Sequence, residues 1–376
     1  MKRFGKKAVV LALVAAMAMT SLVGCTGVKD SEIVATVGDS KITAGLANFY
    51  VRYQQASIES SYSSYYGEDF WDMVVDEEKG TTFEENMKDS MMEMLQTLYI
   101  LEDHAKDYKV ALTEEETAAI DKAAEAAEKA NSEGVREKVS VTKEIVAEYL
   151  RLVTLSEKMY DAIIKDADKE VSDKEAAQKR LRYAVFETVL TAEDGSTTEL
   201  SEEEAAKKKA SAEDFLAAAK KNGSLEKYGK EAKQETKTLT FDKESTDLDE
   251  AVIKAADALK KGAFAELIET ETGYYVVQLE STLDRDATDK EKEAIITERE
   301  NELYTKTVEK WTEETDITVH KAWKKINIKS LLVSAKPEEK KEETDKKEES
   351  EKKDESDKKE ETDKKDDSDA KEDKAE

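Results

Sequence analysis

The sequence predicts a mainly helical protein that contains a smaller α+β domain and ends in a disordered tail. A single proline and 13 glycines among 376 residues, with abundant alanine, glutamate and lysine, favour helices. Apolar residues recur at helical spacing over residues 31–170 and again over 284–335. Between them, over 171–283, the predicted elements follow the order β-α-α-β-α-β-β. The chain therefore divides into two helical stretches separated by a mixed domain.

Residues 1–24 have the layout of a secretory signal peptide. Basic residues precede an apolar run from Ala8 to Met19, which is too short for a comfortable membrane span. The closing Leu22-Val23-Gly24-Cys25 resembles the lipobox of bacterial lipoproteins, in which the cysteine is lipidated. Cys25 is the only cysteine and has no disulfide partner within the chain. We expect lipidation of Cys25, a tether over 25–30 and attachment to the extracytoplasmic face of the cell membrane; an ordinary signal peptide or a short anchor is the alternative.

Composition excludes several classes of function. A net charge of −28 argues against nucleic acid as a partner. The only histidines are His104 and His320, so a histidine-rich metal site is excluded, and we expect neither a metal nor a cofactor. No G-x-S-x-G motif occurs, and a Ser-His-Asp triad would need one of those two histidines.

The first helical stretch opens with a strand and a helix. Ile33–Val37 is a predicted strand that turns at Gly38, and Thr43 is a candidate N-cap for the helix that follows. Aromatic residues are dense over 50–71. Exposed rings there would form an adaptable surface for unfolded chains, whereas the alternative is that they are core or cap residues. The residues expected to contact such chains are Tyr62, Tyr65, Tyr66, Phe70 and Trp71.

Three more helices are predicted in this stretch. The apolar face over 87–108 contains several methionines, which fit either a core or a promiscuous binding surface. The capping box Thr113-x-x-Glu116 opens a helix that runs to about Ala130. A second long apolar face spans 145–163.

Capping boxes and apolar runs define the elements of the α+β domain. Ser172-x-x-Glu175 has the capping-box pattern, and Ser201-x-x-Glu204 begins a helix that stops at Asn222-Gly223. The remaining predictions are strands at 181–190, 236–241 and 273–279 and helices at 225–232 and 248–259.

The C-terminal part returns to helix and then loses all apolar content. After Asp284 a helix that carries Trp311 is followed by a short strand, DITVH, and a helical turn, AWKKI. Residues 336–376 contain five copies of a hexad such as KKEETD and no aromatic or large aliphatic residue. Such a segment cannot bury enough apolar area to offset its ordering entropy, so we expect a disordered tail.

Several stretches resemble a known family. VATVGDSKITAGLANFY, Val34–Tyr50, is similar to the start of the N-terminal domain of SurA- and PrsA-type folding factors, which are extracytoplasmic chaperones. The segment around DITVH and AWKKI resembles their C-terminal return segment. LDEAVIKAADALKKGAFAELIETETGYYVVQL, Leu248–Leu279, and KRLRYAVF, Lys179–Phe186, resemble the parvulin prolyl isomerase domain. The resemblance implies a mainly α fold with an inserted α+β domain: a helical chaperone module, 31–170 plus 284–335, into which a parvulin-like domain is inserted.

The resemblance also implies a degenerate proline-binding site. Tyr183 and Tyr275 stand where the family has histidines on its first and last strands. Leu248 and Val252 replace the Met and Phe that usually form the floor under the substrate proline. Tyrosine hydroxyls could still donate hydrogen bonds to a twisted amide, so weak activity and no activity both remain open.

These observations predict a lipid-anchored extracytoplasmic folding factor that binds newly exported, unfolded polypeptides, with weak or absent peptidyl-prolyl isomerase activity. One alternative is an active parvulin-type isomerase in which the tyrosines replace the histidines. Another is a structural or adhesive surface lipoprotein whose tail engages the cell wall. The expected partners are unfolded polypeptides and the membrane, and the sequence leaves a homodimer open.

Overall fold

The computed structural model describes residues 28–67, 69–192 and 195–328. The expected lipidation site at Cys25 and the hexad tail lie outside these residues. The helices are α1 (Ala44–Tyr66), α2 (Phe83–Asp103), α3 (Glu114–Ala130), α4 (Glu133–Val139), α5 (Lys143–Ile163), α6 (Glu202–Asn222), α7 (Leu225–Ala232), α8 (Glu250–Asp257) and α9 (Arg285–Glu314). The strands are β1 (Ile33–Val37), β2 (Ser40–Thr43), β3 (Val74–Asp76), β4 (Thr81–Thr82), β5 (Lys179–Glu187), β6 (Val189–Thr191), β7 (Thr197–Glu199), β8 (Lys237–Phe241), β9 (Ile268–Thr270), β10 (Gly273–Ser281) and β11 (Ile317–Val319).

The N-terminal helices and the C-terminal segment share one hydrophobic core. β1 lies between β11 and β2 in an antiparallel sheet, with Ala35 opposite Val319. Three large side chains of the C-terminal segment, Trp311, Trp323 and Ile328, are buried in the same core as α1, α2, α3 and α5. Burial of a large apolar side chain stabilises a fold by roughly 1.5–3 kcal/mol, so this segment is an integral part of the helical module.

A buried polar network fastens the end of the C-terminal segment. Gln55 Nε2 donates to the carbonyl of Ile328 at 3.0 Å, and the Ile328 N–H donates to Glu84 Oε1 at 3.1 Å. Gln55 also accepts from Arg52 Nη1 at 2.7 Å and donates to Glu59 Oε1 at 2.6 Å. Because unpaired polar groups are costly in a core, the network holds α1, α2 and the C-terminal segment in one relative position.

Capping side chains set the ends of the helices as predicted. Thr113 and Glu116 make both hydrogen bonds of a capping box at the start of α3, and Ser201 and Glu204 do so at the start of α6. α6 ends at Gly223, whose φ of 80° is accessible to glycine at little cost. These predicted boundaries are confirmed.

Two other boundaries predicted from the sequence are wrong. α2 ends at Asp103, so Ala105 and Tyr108 lie in the turn beyond it. Both side chains still pack against the core, which explains why the apolar spacing continues after the backbone has left the helix. The Ser172 pattern forms only a turn, in which the Glu175 N–H donates to Ser172 Oγ at 3.2 Å, and no helix follows it before β5.

The inserted domain is built on an antiparallel sheet with the strand order β8-β5-β10-β9. The predicted order of elements is confirmed as β5, α6, α7, β8, α8, β9 and β10, and the hairpin β6–β7 is an addition to it. α8 packs on one face of the sheet around Leu181 and Val277, and α6 and α7 cover the other face around Val276. Because successive side chains of a strand point to opposite faces, neighbouring residues of β10 belong to two different cores.

Ion pairs join the two connections between the helical module and the inserted domain. Asp173 pairs with Arg285 at 2.8 Å and with Lys292 at 2.5 Å, while Arg299 pairs with Asp168 at 3.4 Å. Water screens exposed ion pairs such as these, so the contacts orient the connections more than they stabilise the fold.

Candidate functional site

The two tyrosines predicted for the isomerase site lie next to each other. Tyr183 is opposite Val277 and Tyr275 is opposite Val185 in the β5–β10 register, which puts both side chains on the face that α8 covers. Their ring centroids are 5.9 Å apart with an interplanar angle of 30°. The fold thus brings together two residues that are distant in sequence.

The apolar floor predicted beneath the tyrosines has one accessible member. Leu248 is partly buried against the core that includes Val277, and both tyrosines border that core. Val252 is fully buried, so the prediction that it contacts a substrate proline is wrong for this conformation. It lies on the inward face of α8, where it supports the sheet below the tyrosine pair.

The tyrosine pair is suited to donating hydrogen bonds. Burial raises the pKa of Tyr183, against the opposing effect of Lys237, so the phenol is protonated at neutral pH. The hydroxyl of Tyr275 lies 3.5 Å from Thr272 Oγ1, at the outer limit of a hydrogen bond. A cleft of about 250 Å³ borders Tyr183 on the side of Leu190 and Lys237, and neither Tyr275 nor Leu248 lines it.

A second candidate surface lies at the C-terminal end of α1. Tyr62, Tyr65 and Tyr66 are 43%, 84% and 59% exposed. Three further apolar side chains that begin the β3–β4 hairpin are about half exposed. Phe83 links the two groups, because its N–H donates to the Met73 carbonyl at 2.8 Å and its ring centroid lies 5.8 Å from that of Tyr62. We call the exposed residues the aromatic patch: Tyr62, Tyr65, Tyr66, Met73, Val74 and Val75.

Phe70 and Trp71, which were predicted to contact clients together with these tyrosines, are buried. Their exposed fractions are 2% and 1%, so the prediction is wrong for both. Trp71 Nε1 donates to the buried Glu59 Oε1 at 3.2 Å, and its ring packs 5.4 Å from that of Phe83. Phe70 lies 6.3 Å from the ring of Tyr62, so the two buried rings support the patch from below.

The hairpin half of the patch was not predicted from the sequence. Met73, Val74 and Val75 form a short apolar run, followed by Gly80 in a left-handed conformation with φ of 66°. An apolar run and a nearby glycine are the usual signal for a strand that leads into a turn, and this run is only three residues long.

The described part of the chain contains neither a metal-binding cluster nor a membrane-spanning helix. Across residues 28–67, 69–192 and 195–328, no group of histidine, cysteine, aspartate or glutamate side chains is arranged to hold a metal ion. Within the same residues, no helix combines the length and the hydropathy that crossing a membrane requires.

Comparison with known proteins identifies the inserted domain and extends beyond it. The family described as a PPIC-type PPIASE domain matches residues 191–295. Foldase protein PrsA of Clostridium botulinum strain Loch Maree is 26% identical over 318 residues, which cover 78% of this chain and 89% of that protein. The PrsA of Clostridium botulinum strain Okra is 27% identical over 288 residues, which cover 69% of this chain and 80% of that protein. The crystal structure of PrsA from Lactococcus lactis aligns with 78% of this chain and 96% of its own, at 19% identity and a TM-score of 0.33.

The domain match and the longer matches agree with the architecture. The PPIC-type match begins after β5, so it includes Tyr275 but not Tyr183. The PrsA relatives align over about three times as many residues as that domain contains, which extends the likeness well beyond it. The chain is similar to PrsA foldases over most of its length and carries a PPIC-type, parvulin-like domain.

Proposed function

We propose that this protein is an extracytoplasmic folding factor that holds exported polypeptides before they fold. The observation that carries the proposal is the aromatic patch, a group of six apolar side chains left exposed beside a core in which Phe70 and Trp71 are buried. The likeness to foldase protein PrsA supports the same function.

The composition of the patch suits reversible binding of many sequences. Tyrosine offers a large apolar ring with few rotatable bonds, and methionine adapts its shape to different neighbours. Each Å² of apolar area that a client buries against the patch stabilises the complex by about 25 cal/mol, and no particular client sequence is required. Weak, unspecific contacts of this kind allow a client to leave when it folds.

The proposal includes attachment to the outer face of the cytoplasmic membrane through a lipid on Cys25. The lipobox-like sequence before this cysteine supports it. Labelling cells with a fatty-acid probe should mark the protein, and Cys25→Ser should remove the label and release the protein from membranes. Membrane retention of an unlabelled protein would contradict the anchor.

Suppression of client aggregation tests the chaperone function. The chain from residue 25 to 376, with Cys25→Ser, should slow the aggregation of a chemically unfolded client. The triple variant Tyr62→Ser, Tyr65→Ser, Tyr66→Ser should lose most of this effect because it removes the exposed rings. The control replaces two apolar residues that are exposed elsewhere on the helical module, Met94→Ser and Val319→Ser. Equal suppression by the triple variant and the control would contradict a role for the patch.

Prolyl isomerisation is a second candidate function, favoured by the stacked Tyr183–Tyr275 pair on the parvulin-like sheet. The two hydroxyls would stabilise the twisted amide by hydrogen bonds, and the side chain of Leu248 would contact the proline ring. A protease-free assay with X-Pro peptides should show a kcat that falls in Tyr275→Phe, with KM little changed. Activity equal to background in the unmodified chain would remove this candidate and leave the chaperone proposal intact.

A further inference from the structure

The two segments that carry the aromatic patch, the end of α1 and the start of the β3–β4 hairpin, have carboxylates and no basic residue before Lys79. No lysine or arginine occurs in the sequence between Arg52 and Lys79, whereas the short stretch before and within the hairpin carries several carboxylates. Of these, Glu77 and Glu78 are exposed at the tip of the hairpin. The segments that carry the apolar surface therefore have a net negative charge.

The nearest lysine does not neutralise this charge. Lys79 Nζ lies 3.5 Å from Asp76 Oδ2, and the other oxygen of Asp76 accepts the N–H groups of Glu78 and Lys79 at 3.1 Å each. In the described part of the chain, no basic side chain forms an ion pair with Glu77 or Glu78. Their charge remains available to a partner.

The hairpin also offers an open strand edge. β3 pairs with β4, from Val74 opposite Thr82 to Asp76 opposite Thr81, and no third strand joins them among the described residues. Val74 and Val75 are both exposed although they point to opposite faces. An unpaired edge with apolar side chains favours an extended segment that adds a strand.

From these observations we infer that the aromatic patch selects extended client segments in which apolar residues are flanked by lysine or arginine. This inference rests on the proposed chaperone function and names the class of sequence that the patch takes. The apolar side chains of the client contact the tyrosines and valines, and its cationic side chains lie against Glu77 and Glu78. Segments rich in aspartate and glutamate are repelled, which gives the patch selectivity that apolar contact alone does not provide.

Two labelled peptides that share the same apolar residues test the inference. One has lysines in the flanking positions and the other has glutamates, and fluorescence anisotropy measures their binding to the chain from residue 25 to 376 with Cys25→Ser. At about 50 mM salt, we expect the lysine peptide to bind about fivefold tighter, as screened surface charges allow. The difference should disappear at about 1 M salt, where the Debye length falls to about 3 Å.

Charge-swap variants separate the effect of the hairpin on peptide binding from that of the acidic tail, which is present in every sample. Glu77→Lys with Glu78→Lys should abolish or reverse the preference. Glu213→Lys with Asp214→Lys makes the same change of net charge at exposed positions on α6 and should keep it. Thermal unfolding should confirm that both variants fold.

The outcomes distinguish the inference from the function on which it rests. Equal binding of the two peptides, or the same preference in both charge-swap variants, would overturn the inference while client aggregation is still suppressed. Failure to bind either peptide together with failure to suppress aggregation would remove the proposed function and the inference with it.

Discussion

Trp323→Ala tests whether the C-terminal segment completes the helical module. Trp323 is 6% exposed in the short 3₁₀-helix Lys321–Lys325, and it belongs to the same core as the N-terminal helices. Truncation of a buried tryptophan costs about 3–5 kcal/mol. Lys88 Nζ lies 5.3 Å from the centre of the ring, and loss of that cation–π contact adds about 0.5–1 kcal/mol. We therefore expect a loss of about 5 kcal/mol in the free energy of unfolding.

Urea unfolding followed by tryptophan fluorescence measures the stability of the helical module specifically. The chain has 3 tryptophans, and the two that remain in the variant, Trp71 and Trp311, are buried in the helical module. A transition in their fluorescence therefore reports on this module and not on the inserted domain. Hydrogen exchange should also become faster in β1, which pairs with β11, and stay unchanged in β10.

Lys324→Ala is the matched control for the tryptophan substitution. Lys324 is exposed in the same 3₁₀-helix, so its truncation should change the unfolding free energy by less than about 0.5 kcal/mol. If Trp323→Ala costs no more than this control, the C-terminal segment is not part of the core and the assignment of one discontinuous module is refuted.

Three further substitutions probe single contacts. Glu116 caps α3 and accepts a hydrogen bond from Lys158, which lowers its pKa; Glu116→Gln should cost about 1 kcal/mol at pH 7 in urea unfolding. Because the pKa of Glu116 is lower in the folded state, its carboxylate stabilises the fold above the unfolded-state pKa of about 4.3. This stabilisation is lost as the pH falls through the folded-state pKa, so the difference in unfolding free energy between the two proteins should vanish at about pH 2. Gln278→Leu removes hydrogen bonds to two glycine carbonyls and one backbone N–H and should cost about 2–4 kcal/mol, seen as faster hydrogen exchange in the inserted domain. Gly273→Ala places a Cβ 2.5 Å from the Phe186 carbonyl oxygen at a φ of 154°, and should lower the melting temperature of that domain by more than about 5 °C.

Each of these substitutions has an outcome that contradicts its reasoning. Glu115→Gln, in the same helical turn, should show little pH dependence, and an equal effect at both glutamates would mean that the charged contact between Glu116 and Lys158 does not stabilise the fold. Unchanged exchange in Gln278→Leu would mean that water replaces the lost bonds. Gly134→Ala has open space around it and a helical position in α4, so equal destabilisation there would refute the steric argument for Gly273.

Local signals in the sequence determined most of the secondary structure. Thr113, Ser201 and Gly223 act on backbone groups within one helical turn, so their patterns predicted real helix ends. The order of elements in the inserted domain was also predictable, because strand alternation and helix spacing are short-range properties. Where the prediction failed, at Tyr108 and Ser172, the same local pattern occurs in a turn instead of a helix.

Only the tertiary structure decided which side chains are exposed and which distant segments meet. Tyr65 and Trp71 belong to the same aromatic stretch, yet one is 84% and the other 1% exposed, because the rest of the fold covers only the second. The pairing of β1 with β11 joins the two ends of the helical module, and no pattern within a few residues encodes it. The sequence by itself determined the family resemblance, the helix ends and the tyrosine substitutions. Burial depends on long-range packing, so the tertiary structure was needed to place the aromatic patch on the surface and Val252 in the core.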